Sequence, residues 1–95
     1  MREWALEVLA CPNCGHHPFK LIKLRVEAEE IVEGVLYCEK CGTWYPIIDG
    51  IPHLLPNKIR ESMRKNEELN FLRKWREKLP DYIVLKGKPY NLKTG

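Results

Sequence analysis

Cys11-Pro12-Asn13-Cys14-Gly15 and Cys38-Glu39-Lys40-Cys41-Gly42 are two copies of one short pattern, and reading them decides what fold this chain can adopt. Each CxxCG unit carries two thiols on one side of a tight bend. Two such bends facing one another complete a tetrahedral four-sulfur shell of the kind that zinc selects. The glycine after the second cysteine allows the left-handed backbone that aims the bend inward. Between Cys14 and Cys38 lie 23 residues, slightly more than the usual spacing of paired CxxC units, so a longer hairpin must join them. A disulfide pair or a dithiol redox site is the alternative, disfavoured because neither a secretory signal nor a βαβ pattern is visible. Iron in a rubredoxin-like site is a second metal reading, since tetrahedral sulfur suits both metals. His16 and His17 follow the first bend directly. With four sulfurs filling the shell, they read as loop imidazoles, one of them within reach of a thiolate.

At 95 residues the chain is a single domain, of a size that often needs a metal to supplement a limited core. Structural zinc contributes roughly 10–16 kcal/mol of apparent binding free energy, more than the net stability typical of a domain. Stripping it is therefore expected to unfold at least half the chain. Residues 1–10 carry Arg2, Glu3 and Glu7, and so read neither as a signal peptide nor as a membrane span. Reduced cysteines imply a reducing, cytoplasmic compartment. Charge divides near Pro56: residues 1–56 carry −3 and residues 57–95 carry +6, against +3 for the whole chain. The cysteine-bearing half is not basic, which argues against that half gripping phosphate, because such contacts need clustered Lys and Arg.

Along the chain, Trp4, Leu6, Val8 and Leu9 suit a short helix. Phe19 to Glu27 alternates as a strand, and Ile31 to Tyr37 reads as its partner with Gly34 as a bulge. The acidic turn Ala28-Glu29-Glu30 joins them. Asp49-Gly50 between two apolar runs is a tight-turn signal. Pro46, Pro52 and Pro56 lack amide hydrogens, which predicts that their segments lie at an edge of the sheet or outside it. Residues 57–79 contain no Gly or Pro, with Asn57 as the expected N-cap. At 100° per residue Leu69, Leu72, Trp75 and Leu79 share a stripe flanked by Phe71, whereas Ile59 and Met63 point nearly opposite. Either the helix breaks near Asn66, or its first turns face another surface. Pro80 ends it. The expected fold is α+β: a small zinc ribbon with β-hairpins, about four short strands, a short N-terminal helix and a C-terminal helical segment. Its parts are a zinc ribbon with an apolar edge (1–56), an amphipathic helical segment packed on it (57–79), and a tail with one short strand over Asp81 to Leu85 (80–95). No phosphate-cradling glycine loop and no nucleophile–base pair is visible, so no catalytic residue is assigned. Asp49 is explained by its turn.

The leading CPNC, the segment EGVLYCEKCGTWYPIIDGIPHLLP at 33–56 and the small size together resemble the multifunctional methyltransferase subunit family. These are zinc-ribbon activators of the tRNA methyltransferase 112 type, serving tRNA, ribosomal RNA and translation-factor methyltransferases in archaea and eukaryotes. The resemblance covers about residues 1–56. It implies one structural zinc ion on Cys11, Cys14, Cys38 and Cys41 and a non-catalytic heterodimer subunit. It also implies an S-adenosylmethionine-dependent methyltransferase partner that alone holds the methyl donor, and docking by an added edge strand over an apolar patch.

Strand addition needs an unpaired backbone edge flanked by apolar side chains, and residues 51–55 offer one. Ile47, Ile48, Ile51, Pro52, His53, Leu54 and Leu55 are thus the expected partner surface, the alternative being that the apolar ones pack in this domain's own core. Lys58, Arg60, Arg64, Lys65, Arg73, Lys74, Arg76 and Lys78 are candidates for contact with RNA, tRNA included, through such a complex; the competing reading is a solvated helix face. A stand-alone nucleic-acid-binding zinc ribbon is the competing function, and rubredoxin-like electron transfer, suggested by CPNCG with Trp44 and Tyr45, is the third.

Overall fold

The computed structural model describes residues 1–93. Four strands form one antiparallel sheet in chain order: β1 (Lys20–Glu27), β2 (Glu30–Tyr37), β3 (Trp44–Ile48) and β4 (Ile51–Pro52). With three α-helices and the four-cysteine cluster, this is the small α+β ribbon that the sequence predicts. Both hairpins turn where expected. Ala28 and Glu29 take φ of 49° and 67°, and Asp49 and Gly50 take 51° and 77°. Paired left-handed residues give the twist that two-residue hairpin turns need.

Helices follow the sheet. α1 (Asn57–Met63) and α2 (Lys65–Trp75) are separated by a break at Arg64, two residues before the expected position, and a 3-10 turn (Arg76–Lys78) runs up to Pro80. Ile59 and Met63 are exposed, while Leu69, Phe71, Leu72 and Leu79 are buried, as the two stripes require. Over 81–85 the expected strand is replaced by α3 (Asp81–Val84), whose Ile83 and Val84 are fully buried. Among the described residues of the tail, only Lys88 touches the sheet as strand, through a parallel bridge to Thr43. Residues 94 and 95 of the expected tail lie outside the described residues.

The sheet is covered on both faces, so neighbouring residues on one strand serve different cores. Val35 and Trp44 enter a layer with Leu69, Leu72, Ile83 and Tyr90. Leu36 and Tyr45, one position along, enter the layer that holds Met1, Phe19, Cys11 and Cys38. That is the period-two rule applied to strands buried on both sides, β2 and β3, whereas β1 leaves Lys23, Arg25, Val26 and Glu27 exposed. The short N-terminal helix is a 3-10 helix, Glu3–Glu7, whose Leu6 packs on the cysteine-side layer; Trp4, at 67 % exposure, does not. Trp44 is fully buried and Trp75 partly so.

Two strand expectations are corrected. The register slips at Leu24 and Val32, not at Gly34, and the slip lets Ile31 join the cysteine-side layer while Glu33 turns to Trp75 on α2. Gly34 is needed for close approach instead: a Cβ there would lie 2.6 Å from the Ile22 carbonyl oxygen. Pro46, expected at an edge, sits in β3 between β2 and β4. Its carbonyl accepts from the His53 N–H at 2.9 Å, so its nitrogen also points toward β4, and the ladder to β2 loses no donor.

Candidate metal centre

Each CxxCG bend closes in the same way. The Gly15 N–H donates to the Cys11 carbonyl at 2.7 Å, and the Cys11 N–H donates to the His16 carbonyl at 2.9 Å. In the second bend the matching bonds run from Gly42 to Cys38 at 2.9 Å and from Cys38 to Thr43 at 2.8 Å. Gly15 and Gly42 have φ of 79° and 76°, the left-handed geometry that the pattern calls for. The two bends therefore present their thiols as near copies facing one another.

All four ligand sulfurs lie within 4.8 Å of one another, and none forms a disulfide. Two of the separations are 3.5 Å, between Cys14 and Cys38, and 3.7 Å, between Cys11 and Cys41. A tetrahedral shell with metal–sulfur bonds of about 2.3 Å places its sulfurs about 3.8 Å apart, so the cluster fits a metal ion. Burial pushes the Cys38 thiol up to about 12. Cys41 resists the same push, and hydrogen bonding to the Thr43 side chain and amide draws it down to about 7. Four thiolates this close and this dry repel one another unless a cation shares their charge. Neither His16 nor His17 enters the cluster.

Partners that the motif alone did not reveal support the sulfurs. The Tyr45 hydroxyl lies 3.0 Å from Cys11 Sγ and accepts from Asn13 Nδ2 at 2.6 Å, which leaves its own proton for the sulfur. Burial and the neighbouring Cys11 raise the Tyr45 pKa, so it remains a donor. Thr43 Oγ1 lies 3.1 Å from Cys41 Sγ. No signal in the sequence marks this role, because it depends on which face of β3 Tyr45 takes.

Residues 5–50 match the family model described as Trm112p-like protein. The Trm112p-like match contains all four cysteines, the first hairpin, β3 and the Asp49-Gly50 turn, and is the type of family that residues 1–56 resemble. None of the curated proteins matches the chain.

The other sequence candidates are spread over different environments. Ile47 is fully buried in the cysteine-side layer, because its parity on β3 is that of Tyr45, so it offers no surface. Ile48 is partly buried against the helical layer. Ile51 is 62 % exposed at the turn, while Pro52, His53, Leu54 and Leu55 are half-buried along the sheet margin. Among the described residues, no strand lies beyond β4. His53 Nδ1 accepts from Arg64 Nη2 at 2.7 Å, and burial, with the Arg64 charge, lowers the His53 pKa.

Arg60 is not a surface cation. It is fully buried, with its guanidinium 2.8 Å from Glu68 Oε1 and within 5.8 Å of the ring centroids of Trp44, Tyr45 and Tyr90. Tyr90 donates to the same Glu68 oxygen at 2.6 Å. Arg64 is half-buried between His53 and Glu67. Lys58, Lys65, Arg73, Lys74, Arg76 and Lys78 remain exposed, Lys74 paired with Glu33. Among the described residues, no helix is long and apolar enough to cross a membrane.

Proposed function

We propose that this chain is a non-catalytic activating subunit of S-adenosylmethionine-dependent methyltransferases acting on tRNA, ribosomal RNA or translation factors in the cytoplasm. The observation that carries this reading is the closed four-cysteine cluster inside the segment that matches the Trm112p-like family. Cys11, Cys14, Cys38 and Cys41 would hold one zinc ion. A shell of four thiolates has no open position for water or substrate, so the ion's chemistry is structural.

Docking is assigned to the sheet margin at residues 51–55. Ile51, Leu54 and Leu55 supply apolar area, each worth roughly 1.5–3 kcal/mol when fully desolvated, and the backbone beyond β4 supplies the edge. Binding there stabilises the catalytic partner in the conformation that takes up the methyl donor, by linkage and without lending groups to the reaction. The test reconstitutes a candidate methyltransferase with and without this chain and measures donor affinity by calorimetry and turnover by methyl transfer. Tighter donor binding and faster turnover in the complex are expected. A methyltransferase that performs equally well alone overturns the reading for that partner.

A share of RNA contact falls to the exposed cations Lys58, Lys65, Arg73, Lys74, Arg76 and Lys78, favoured by the charge of +6 over residues 57–95. Reversing three of them should weaken RNA binding by the complex and flatten its salt dependence. An unchanged salt slope removes RNA contact from the proposal.

A further inference from the structure

Asn13 lies between the two cysteines of the first bend, yet both ends of its amide reach away from the sulfurs. Nδ2 donates to the Tyr45 hydroxyl at 2.6 Å and to Asn57 Oδ1 at 3.1 Å, while Oδ1 accepts the Asn57 N–H at 3.0 Å. α1 has no cap of its own, because its N-cap residue is Pro56 and no side chain there accepts a first-turn amide. The cap comes instead from a residue 44 positions earlier in the chain. Beyond Asn57 the contacts continue to Arg60 Nη1 at 3.5 Å, and Arg60 is locked to Glu68 and Tyr90 inside the helical layer. They also close on themselves, since the Arg60 guanidinium lies 4.8 Å from the ring of Tyr45, whose hydroxyl meets Cys11.

We infer that Asn13 and Asn57 form a clasp through which the cysteine site and α1 hold each other in place, making Asn57 a remote positioning residue for metal retention. Seating α1 fixes the Asn13 amide. A fixed Asn13 leaves the Tyr45 proton directed at Cys11 Sγ, and a thiolate with a fixed donor binds its cation more tightly. By thermodynamic reciprocity, holding the cation seats α1 to the same degree. The inference rests on the zinc reading of the cluster but not on any partner.

The test loads the full chain with zinc and follows transfer of the metal to a chromogenic chelator. Asn57→Ala and Asn13→Ala should each lose zinc about tenfold more readily, the low end for groups that support metal ligands. The double variant should be no worse than Asn13→Ala alone, which already removes the amide hydrogen bond that Asn57→Ala cuts. Val84→Ala, which opens a cavity in the helical layer without touching the clasp, should stay within about twofold of the native chain. Asn57→Asp keeps the acceptor for Asn13 and should restore most of the retention. In the cobalt-loaded protein, Tyr45→Phe should shift the thiolate absorption bands.

Native zinc retention by Asn57→Ala, or a loss no larger than that of Val84→Ala, overturns the clasp. Should Asn57→Ala not fold, amide exchange of the native chain during chelator titration decides. Loss of Asn57 and Arg60 protection no later than that of Leu69 and Leu72 supports it, and protection at both that outlasts zinc removal overturns it. A native chain that binds no zinc at all would instead sink the metal reading on which the clasp rests.

Discussion

The two faces of the sheet are closed by different means. On the helical side, Trp44, Leu72, Ile83, Tyr90 and their neighbours bury apolar area that α2 and α3 cover from above. On the cysteine side, the buried set includes two of the ligands themselves, and the covering pieces are a five-residue 3-10 helix and two bends with little apolar surface to bury. A 95-residue chain has too little material for two full cores, so one layer relies on contact area and the other, on the zinc reading of its four cysteines, would rely on coordination. The difference teaches that the layers fail for different reasons even though they share β1, β2 and β3.

Removing the metal should have the largest effect. With roughly 10–16 kcal/mol of binding free energy at stake against a net domain stability of about 5–15 kcal/mol, chelator should abolish the cooperative melt seen by circular dichroism. A helical layer that kept its own transition would break the comparison, because it would not need the other face. Trp44→Ala attacks the opposite side. It should cost about 3–5 kcal/mol in urea unfolding of the metal-loaded chain, with the metal retained.

Smaller, and sharper in what it separates, is the buried pair. Glu68→Leu alone leaves the Arg60 guanidinium unpaired in a dry cage and should destabilise by about 3 kcal/mol. The double change Arg60→Met with Glu68→Leu should recover most of that loss in the same urea experiment, because it removes the charge rather than stranding it.

The smallest effect concerns pH at the sheet margin. Burial and Arg64 depress the His53 pKa, so the unfolded chain, titrating near 6.5, takes up this proton before the fold does. The contribution of His53 is therefore complete above about 6.5 and is lost as pH falls below it. His53→Gln should flatten the stability profile of the metal-loaded chain between about pH 5 and 7. Parallel profiles for the two proteins would show that His53 does not couple to folding.

Much of this architecture was legible because it is local. The spacing of the cysteines demanded a hairpin, Asp49-Gly50 specified a turn, and Leu69, Leu72 and Leu79 marked a core stripe. What escaped was set by contacts distant in sequence. Pro46 looked like an edge residue, yet a central strand tolerates it because its nitrogen faces His53. Ile83 and Val84 look like strand residues, yet only a helical turn brings both under the sheet. Arg60 carries the charge of a surface residue, and nothing nearby in the chain announces the three rings and one carboxylate that enclose it. At the site, four ligands could be read directly, but Tyr45 and Asn13 could not, because their roles depend on which face of β3 and which loop the fold brings together.

The placement of the three indoles gives the molecule its own optical gauges. Trp4 is open to water beside the cysteine side, Trp44 is sealed in the helical core, and Trp75 lies half-covered with its ring nitrogen bonded to Glu33. Variants that keep one fluorophore at a time would emit from three different polarities. Their wavelengths and quenching would report, without any attached dye, which storey of the building loosens first.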